Sequence, residues 1–286
     1  MFSGKIGRRP QIGPHTLAGL ALGMGLGRHG TKCTGRTHGL GATGGWGNDM
    51  GSETDTRTAA EQGDASAQVR LALMYERGQG VPRDHLQAVK WFRLAAEQGN
   101  AEGQWRLGDM YRLGWGVPQD HVQALKWFGL AAEQGDARKQ VRLGLMYERG
   151  QGVPKDPVQA VKWFRLAAEQ GNAEGQWRLG IMYQVGRSVP EDHVQAVKWF
   201  HLAAEQDFYE AFSNLSYNYS LGLGVPQDDV LAYMWAHLAT IGERGRVNAN
   251  IRDRIALGMT PSQVAEAKRR SRERLSKGRA NAKNAP

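Results

Sequence analysis

The sequence predicts an all-α protein built as an α-solenoid, a stack of antiparallel helix pairs. A segment of 36 residues recurs along the chain, and its copies begin at Gly63, Gly99, Gly135, Gly171 and, more loosely, Asp207. Each copy has two stretches with apolar residues at helical spacing, separated by a glycine-rich joint that ends in proline. One helix pair has too little apolar surface to fold alone, so neighbouring copies must stack.

The first stretch of the repeat predicts a helix that begins near its start. Ala67, Leu71 and Tyr75 are spaced at i, i+4 and i+8, so their side chains form one apolar stripe. Gly78 predicts the end of this helix, because glycine adopts the left-handed conformation of helix C-termini at low steric cost. Pro82 forces its predecessor into an extended conformation, which prevents helix across the joint.

The second stretch predicts another helix that begins after Asp84. The Asp84 carboxylate is placed to accept hydrogen bonds from the free amides of the first turn. Ala88, Trp91 and Phe92 follow at helical spacing. Repeat three has Pro157 directly after its capping aspartate, which is the first helical position, where proline is tolerated.

Several positions recur in register through all five repeats. The first helix carries Tyr75, Tyr111, Tyr147, Tyr183 and Tyr219, and the second carries Trp91, Trp127, Trp163, Trp199 and Trp235. The full pattern, L-G-x-M-Y … G-x-G-V-P-x-D … A-x-x-W-F-x-x-A-A-E-Q-G, covers roughly residues 58 to 241. It resembles the Sel-one-like repeat family, which is related to tetratricopeptide repeats. The resemblance implies an α-solenoid that serves as an adaptor or scaffold for protein assemblies.

The repeats divide the chain into five parts. We expect a Gly/Arg-rich disordered leader or a mis-called start at 1–49, a partial half repeat at 50–63, five helix hairpins at 64–241, capping helices at 242–276 and a disordered basic tail at 277–286. The start of the chain leaves the compartment open. A cytoplasmic location is favoured over a secreted or periplasmic one, which requires the beginning of the leader (to about residue 30) to act as a signal.

Two local features refine the prediction at the end of the array. Ser188 in repeat four replaces the second glycine of the joint, so we expect that loop to deviate from the others. A short helix is expected around Val247 to Leu257. Thr260 and Gln263 then form a capping box with Pro261 at the first helical position, which predicts a last helix that closes repeat five.

The net charge of +9 is concentrated at the two ends of the chain, whereas the array between them is mildly acidic. The isoelectric point therefore does not indicate nucleic-acid binding by the array itself. Cys33 is the only cysteine, which excludes intramolecular disulfides and cysteine-rich zinc sites. No membrane span is predicted, because the apolar run from Leu17 to Gly27 is too short to cross a bilayer.

A second apolar face lies opposite the tyrosine stripe of the first helix. One position in it is held by Val69, Trp105, Val141 and Trp177, and the other by Leu73, Leu145 and Ile181, with Asp109 in repeat two. This face serves either packing between repeats or a groove for a partner, and both alternatives stay open. By similarity to tetratricopeptide repeats, these positions line the concave surface. In a groove, Trp105 and Trp177 are expected to be exposed anchors, because tryptophans commonly dominate binding energy.

A column of arginines follows that face, formed by Arg70, Arg106, Arg142 and Arg178. Guanidinium groups bind carboxylates or phosphates through two parallel hydrogen bonds. The favoured alternative is that each arginine pairs with Glu or Asp of a neighbouring helix or is solvated. The apolar face and this column together are the candidate partner-binding residues.

No chemistry stands out from the repeat pattern. His85, His121 and His193 share one position, but stacked helices lie about 10 Å apart, too far to share one metal ion at bonds of about 2 Å. The sequence has no glycine-rich phosphate loop and no nucleophile–base arrangement. We therefore predict no enzyme, no cofactor, no metal site and no small-molecule substrate.

The predicted function is a non-enzymatic scaffold that mediates protein–protein interaction along the concave face of the solenoid. The alternative is a protein that binds nucleic acid or another anionic surface through its basic C-terminal tail, from Lys268 to Lys283.

Overall fold

The computed structural model describes residues 53–241 and 245–283, and within these ranges the chain forms thirteen helices and no strand. Consecutive helices pack as antiparallel pairs, which confirms the all-α solenoid class. The described chain consists of two compact units, which meet in sequence between Gln170 and Gly171. The predicted leader at 1–49 lies outside the described residues. Within them, no helix combines the length and apolar character needed to cross a membrane.

The N-terminal unit, residues 53–170, contains the half repeat and repeats one to three. Its helices are α1 (Glu53–Glu61), α2 (Ala65–Arg77), α3 (His85–Glu97), α4 (Ala101–Leu113), α5 (His121–Glu133), α6 (Ala137–Arg149) and α7 (Pro157–Glu169).

The C-terminal unit, from residue 171 onward, contains repeats four and five and the closing helices. Its helices are α8 (Ala173–Val185), α9 (His193–Glu205), α10 (Tyr209–Leu221), α11 (Asp229–Ala239), α12 (Gly245–Ala256) and α13 (Pro261–Lys283).

The helix ends are closed as the sequence predicts. Asp84 accepts hydrogen bonds from the amides of Leu86 and Gln87 at 2.9 and 3.1 Å, which caps α3. Gly78 ends α2 in the left-handed conformation with φ of 70°. Ser188, however, also adopts a left-handed φ of 61°, close to the 77° of Gly80 at the same position in repeat one. The expected deviation of this loop is therefore wrong, because the serine takes the conformation that glycine adopts elsewhere.

Phenylalanines of the second helices form the centre of each repeat. Phe92, Phe128, Phe164 and Phe200 are fully buried. Glycines of the first helices allow this close packing, since a Cβ added at Gly144 would lie 2.7 Å from the ring of Phe164. The ring therefore packs directly on the backbone of α6, and the apolar stripe predicted from sequence meets its partner there.

A ladder of buried glutamines joins successive repeats. Gln140 of α6 is 3% exposed, and its Nε2 donates to the carbonyl oxygen of Ala132 on the preceding helix α5 at 3.1 Å. Its Oε1 accepts from Nε2 of Gln170, at the end of the same repeat, at 2.8 Å. Gln68 and Gln104 make the same two bonds in repeats one and two. This ladder was not predicted from the sequence, although a glutamine recurs at one position of the repeat.

A second recurring contact binds the first-helix tyrosine of repeats one and two to an arginine on the helix before it. Nη2 of Arg93 on α3 donates to the hydroxyl oxygen of Tyr111 on α4 at 2.9 Å, and Arg57 binds Tyr75 in the same way. Gly129 holds the equivalent position before Tyr147. A Cβ at Gly129 would meet no heavy atom within 4 Å, so the space for a longer side chain is open.

The last helix closes repeat five as the capping box predicts. The amide of Gln263 donates to Oγ1 of Thr260 at 3.3 Å, and the amide of Thr260 donates to Oε1 of Gln263 at 2.8 Å. Ala267 and Ser271 of α13 are fully buried against α11. Arg274 then reaches α9, where its guanidinium donates to the carbonyl oxygen of Ala204. The helix continues to Lys283, beyond the boundary at residue 277 expected from sequence.

Candidate partner-binding face of the first helices

The candidate residues lie on one side of the first helices, which we call the first-helix face. In the N-terminal unit it consists of Val69, Arg70, Leu73, Trp105, Arg106, Val141, Arg142 and Leu145, carried by α2, α4 and α6. In the C-terminal unit it consists of Trp177, Arg178 and Ile181 on α8. The two groups are described separately below.

The two tryptophans are buried, contrary to the expectation of exposed anchors. Trp105 is 4% exposed, and its ring centroid lies 4.5 Å from that of Phe128. Trp177 is 6% exposed, and its Nε1 donates to Oδ1 of Asn214 at 2.9 Å. The physical reason is that helices of the same unit cover each tryptophan. Phe128 and Arg142 cover Trp105, and Asn214 contacts Trp177. The tryptophans therefore belong to the repeat core.

The second apolar position of the face remains accessible. Leu73, Leu145 and Ile181 are half-buried, and Asp109 is half-buried between the two leucines in the row formed by α2, α4 and α6. Leu73 also packs against the core of the first repeats. In the N-terminal unit these side chains give a surface that is apolar at both ends and acidic in the middle.

The arginine column binds carboxylates of the same and the preceding first helix. Nε of Arg106 lies 2.7 Å from Oε1 of Glu102, and its Nη1 lies 3.9 Å from Oε2 of Glu76. Nη2 of Arg142 lies 3.7 Å from Oδ1 of Asp109. These contacts support the alternative in which the arginines pair with neighbouring helices. The sequence analysis had not named Glu76 and Asp109 as the acidic partners.

Two arginines also cover the buried tryptophans. The guanidinium carbon of Arg142 lies 5.1 Å from the centroid of the Trp105 ring, while the Arg142 side chain itself is 55% exposed. In the C-terminal unit, Arg178 lies 4.8 Å from the centroid of the Trp177 ring and its Nη2 lies 3.2 Å from Oε1 of Glu174. Cation–π attraction favours both positions. Arg142 is therefore an accessible charged side chain that covers a buried aromatic ring.

The ion pairs lower the pKa of an acid, Glu102, on this side of the N-terminal unit. Burial alone raises the pKa of Glu102, but the hydrogen bond from Arg106 and the charge of Lys139 outweigh burial, so the pKa is lowered overall. Lys139 Nζ lies 3.4 Å from Oε2 of Glu102. Glu102 is therefore ionised at neutral pH and paired. By contrast, Arg70 is exposed and forms no ion pair with a described residue.

The histidine position does not gather ligands. Among the described residues, no three His, Cys, Asp or Glu side chains come close enough to hold one metal ion. His85 packs its ring 5.0 Å from that of Trp115 in the loop of repeat two. His193 Nε2 lies 2.9 Å from Oε1 of Glu191. Each histidine thus contacts its own neighbours.

Comparisons with known proteins agree with this architecture. The profile of the Sel1 repeat matches five segments, which are residues 65–100, 101–136, 140–172, 173–208 and 211–240. A Sel1 repeat protein from Oxalobacter formigenes is similar to this chain, with 29% sequence identity and a TM-score of 0.65 over 80% of this chain and 92% of that one. The protective antigen c5321 of uropathogenic Escherichia coli, which displays the same type of fold, is 27% identical with a TM-score of 0.42, covering 82% and 67% of the two chains. The search of curated proteins found no match.

Proposed function

Because the chain belongs to the Sel1 repeat family, whose members generally scaffold protein–protein interactions, we propose that it is a non-enzymatic adaptor that binds a protein partner on its first-helix face. In tetratricopeptide repeats, which this repeat resembles, the corresponding positions line a concave surface. The absence of enzymatic activity is part of the proposal. It is supported by the sequence, in which the recurring acids occupy repeated structural positions such as the caps Asp84 and Asp120.

The observation that carries the proposal is the position of Arg142. Its side chain is more than half exposed and covers Trp105, and its ion pair within the described part of the chain is a long contact of 3.7 Å to Asp109. An acidic group of a partner can compete with Asp109 for this guanidinium, because a bidentate carboxylate pair is shorter and stronger. Arg70 offers a second guanidinium without an ion pair to a described residue.

Two half-buried leucines supply the apolar part of the same surface. Leu73 and Leu145 lie on either side of the row position held by Asp109. Protein interfaces combine an apolar centre that excludes water with a polar rim, and a few central residues carry most of the binding energy. We therefore expect a partner segment with apolar side chains for Leu73 and Leu145 and with acids for Arg70 and Arg142.

The test compares two surfaces of one protein. Leu73→Asp/Leu145→Asp places two charges on the first-helix face, and Leu86→Asp/Val122→Asp places two charges on exposed positions of the second helices. Wild type and both variants, matched by their thermal melting curves, are used to capture proteins from native lysate. We expect the second-helix variant to retain the proteins that wild type captures and the first-helix variant to lose them. Each substituted leucine should reduce the binding free energy by about 2 kcal/mol or more. Retention of the same proteins by both variants contradicts the proposed surface.

A further inference from the structure

The last helix carries positive charge that neighbouring acids do not neutralise. Glu266 binds two cations, with its Oε1 at 2.7 Å from Nη2 of Arg269 and at 2.8 Å from Nε of Arg270. These hydrogen bonds, that of Arg269 first, lower the pKa of Glu266 to about 2. Lys268 and Arg272 lie on the same helix, are exposed, and form no ion pair with a described residue. Glu273, the other acid of α13, is paired with Arg269 as well, so both acids are occupied while Lys268 and Arg272 remain available.

Cations from two helices gather on one side of α11. Burial lowers the pKa of His237 on α11, and the positive charges of Arg252, Lys268 and Arg272 lower it further. Arg252 belongs to α12 and is paired with Asp253 at 2.7 Å. α12 and α13 both pack on α11, and Lys268 and Arg272 lie about one turn apart on α13, so these two side chains share one face of that helix. We call Lys268, Arg272 and Arg252 the basic cap surface.

The charge continues along the same helix. The backbone of α13 is helical to Lys283, and the sequence after Ser276 adds Lys277, Arg279 and Lys283 but no acid. At a rise of 1.5 Å per residue, the span from Lys268 to Lys283 is about 22 Å. The cationic residues of this stretch are therefore distributed along about 22 Å of one helix backbone.

The exposed part of this helix has no large apolar side chain. From Pro261 to Ser276 the exposed residues are proline, serine, glutamine, alanine, lysine, arginine and glutamate, whereas Val264 and Leu275 pack on the core of the C-terminal unit. A helix that lies in a membrane surface needs large apolar residues on its exposed face, and a stable protein interface needs an apolar centre. The phosphate backbone of nucleic acid needs only cations and hydrogen-bond donors.

We propose that the basic cap surface binds the phosphate backbone of nucleic acid without reading its base sequence. Arginine suits this role because its planar guanidinium donates two parallel hydrogen bonds to a phosphate. The surface lies at the end of the array and shares no residue with the first-helix face. The two binding activities are therefore separable by substitution.

The experiment measures binding of the full chain to a fluorescein-labelled DNA duplex of mixed sequence by fluorescence anisotropy. The salt concentration is varied from about 50 to 200 mM, a range in which binding through phosphate contacts weakens steeply. Lys268→Gln/Arg272→Gln removes two charges from the basic cap surface. Arg77→Gln/Lys155→Gln removes the same two residue types from exposed positions of the N-terminal unit and is the matched control. Melting curves verify that both variants fold.

We expect wild type and the control to bind the duplex alike, with affinity that falls steeply as salt rises. The cap variant should bind several-fold more weakly at low salt, and its slope of log affinity against log salt should be smaller by about 1.8, or about 0.9 for each lost phosphate contact. Equal weakening by both variants, or no binding of wild type at low salt, overturns the proposal. Tighter binding to vesicles of anionic lipid or to polyglutamate than to the duplex also overturns it. The variant Leu73→Asp/Leu145→Asp should bind the duplex like wild type, so failure here is distinguishable from failure of the proposed function.

Discussion

From the glutamine ladder we predict how much one buried side chain, that of Gln140, contributes to the free energy of unfolding. Gln140→Ala removes the hydrogen bond to the carbonyl oxygen of Ala132 and the acceptor used by Gln170. Ala132 keeps a second bond from the amide of Gly135, and the Gln170 side chain is exposed and can turn to water. The hydrogen-bond loss is thus about 1 kcal/mol. Removal of one buried methylene adds about 0.8 kcal/mol, so the total is about 2 kcal/mol.

Two further variants separate packing from hydrogen bonding. Gln140→Leu keeps most of the volume and loses both bonds, so we expect only the hydrogen-bond cost of about 1 kcal/mol. Gln170→Ala removes an exposed side chain from the same pair, and water can replace it, so we expect less than about 1 kcal/mol. The order of destabilisation is therefore Gln140→Ala, then Gln140→Leu, then Gln170→Ala.

Equilibrium urea unfolding, followed by far-ultraviolet circular dichroism and by tryptophan fluorescence, measures these differences. Coincident transitions by the two probes are needed before the free energies of unfolding are compared. If Gln140→Ala and Gln170→Ala lower the free energy of unfolding by amounts that agree within about 0.5 kcal/mol, the buried glutamine does not link the repeats.

Three other predictions follow from individual positions. Trp163→Ala should cost about 3–5 kcal/mol of unfolding free energy, as large buried aromatics do, and Trp127→Ala should cost less because Trp127 is only half-buried; urea midpoints check this order. Gly129→Arg should stabilise by about 1 kcal/mol, because it removes a helix-interior glycine and supplies the missing donor to Tyr147; an unchanged or lower melting temperature speaks against the open space seen there. Ser188→Gly should stabilise by about 1 kcal/mol, since its left-handed φ strains a serine; a loss of stability in thermal unfolding would show the serine to be unstrained.

The repeat frame was predictable because each of its determinants is local. The spacing of Leu71 and Tyr75, the glycine at the end of the first helix and the capping Asp84 all act within a few residues, and all appear in the structure as predicted. Because the same signals recur at a fixed period, their match to a helix pair in any one repeat is not a coincidence. The closing helix was predictable for the same reason, from the capping box of Thr260 and Gln263.

The candidate site was less predictable because its properties depend on neighbouring repeats. A helical wheel shows that Trp105 lies opposite the tyrosine stripe, but it does not show whether a second helix covers that side. Phe128 and Arg142, both from other helices, cover it. The roles of Gln140 and Asp109 were missed for the same reason, since a polar residue on a helix is most often solvated. Periodic recurrence of the glutamine was the signal that this one is different.

Site-specific photo-crosslinking tests whether a protein partner binds the first-helix face. A photoreactive phenylalanine analogue is placed either at Leu145, on that face, or at Val122, which is 77% exposed on the second helix α5. After irradiation in native lysate, we expect a discrete cross-linked product with the analogue at Leu145, which Leu73→Asp abolishes. The analogue at Val122 should give no product of that mass. The same adduct at Val122, or no adduct at Leu145 from a protein that still captures its partners, would contradict it.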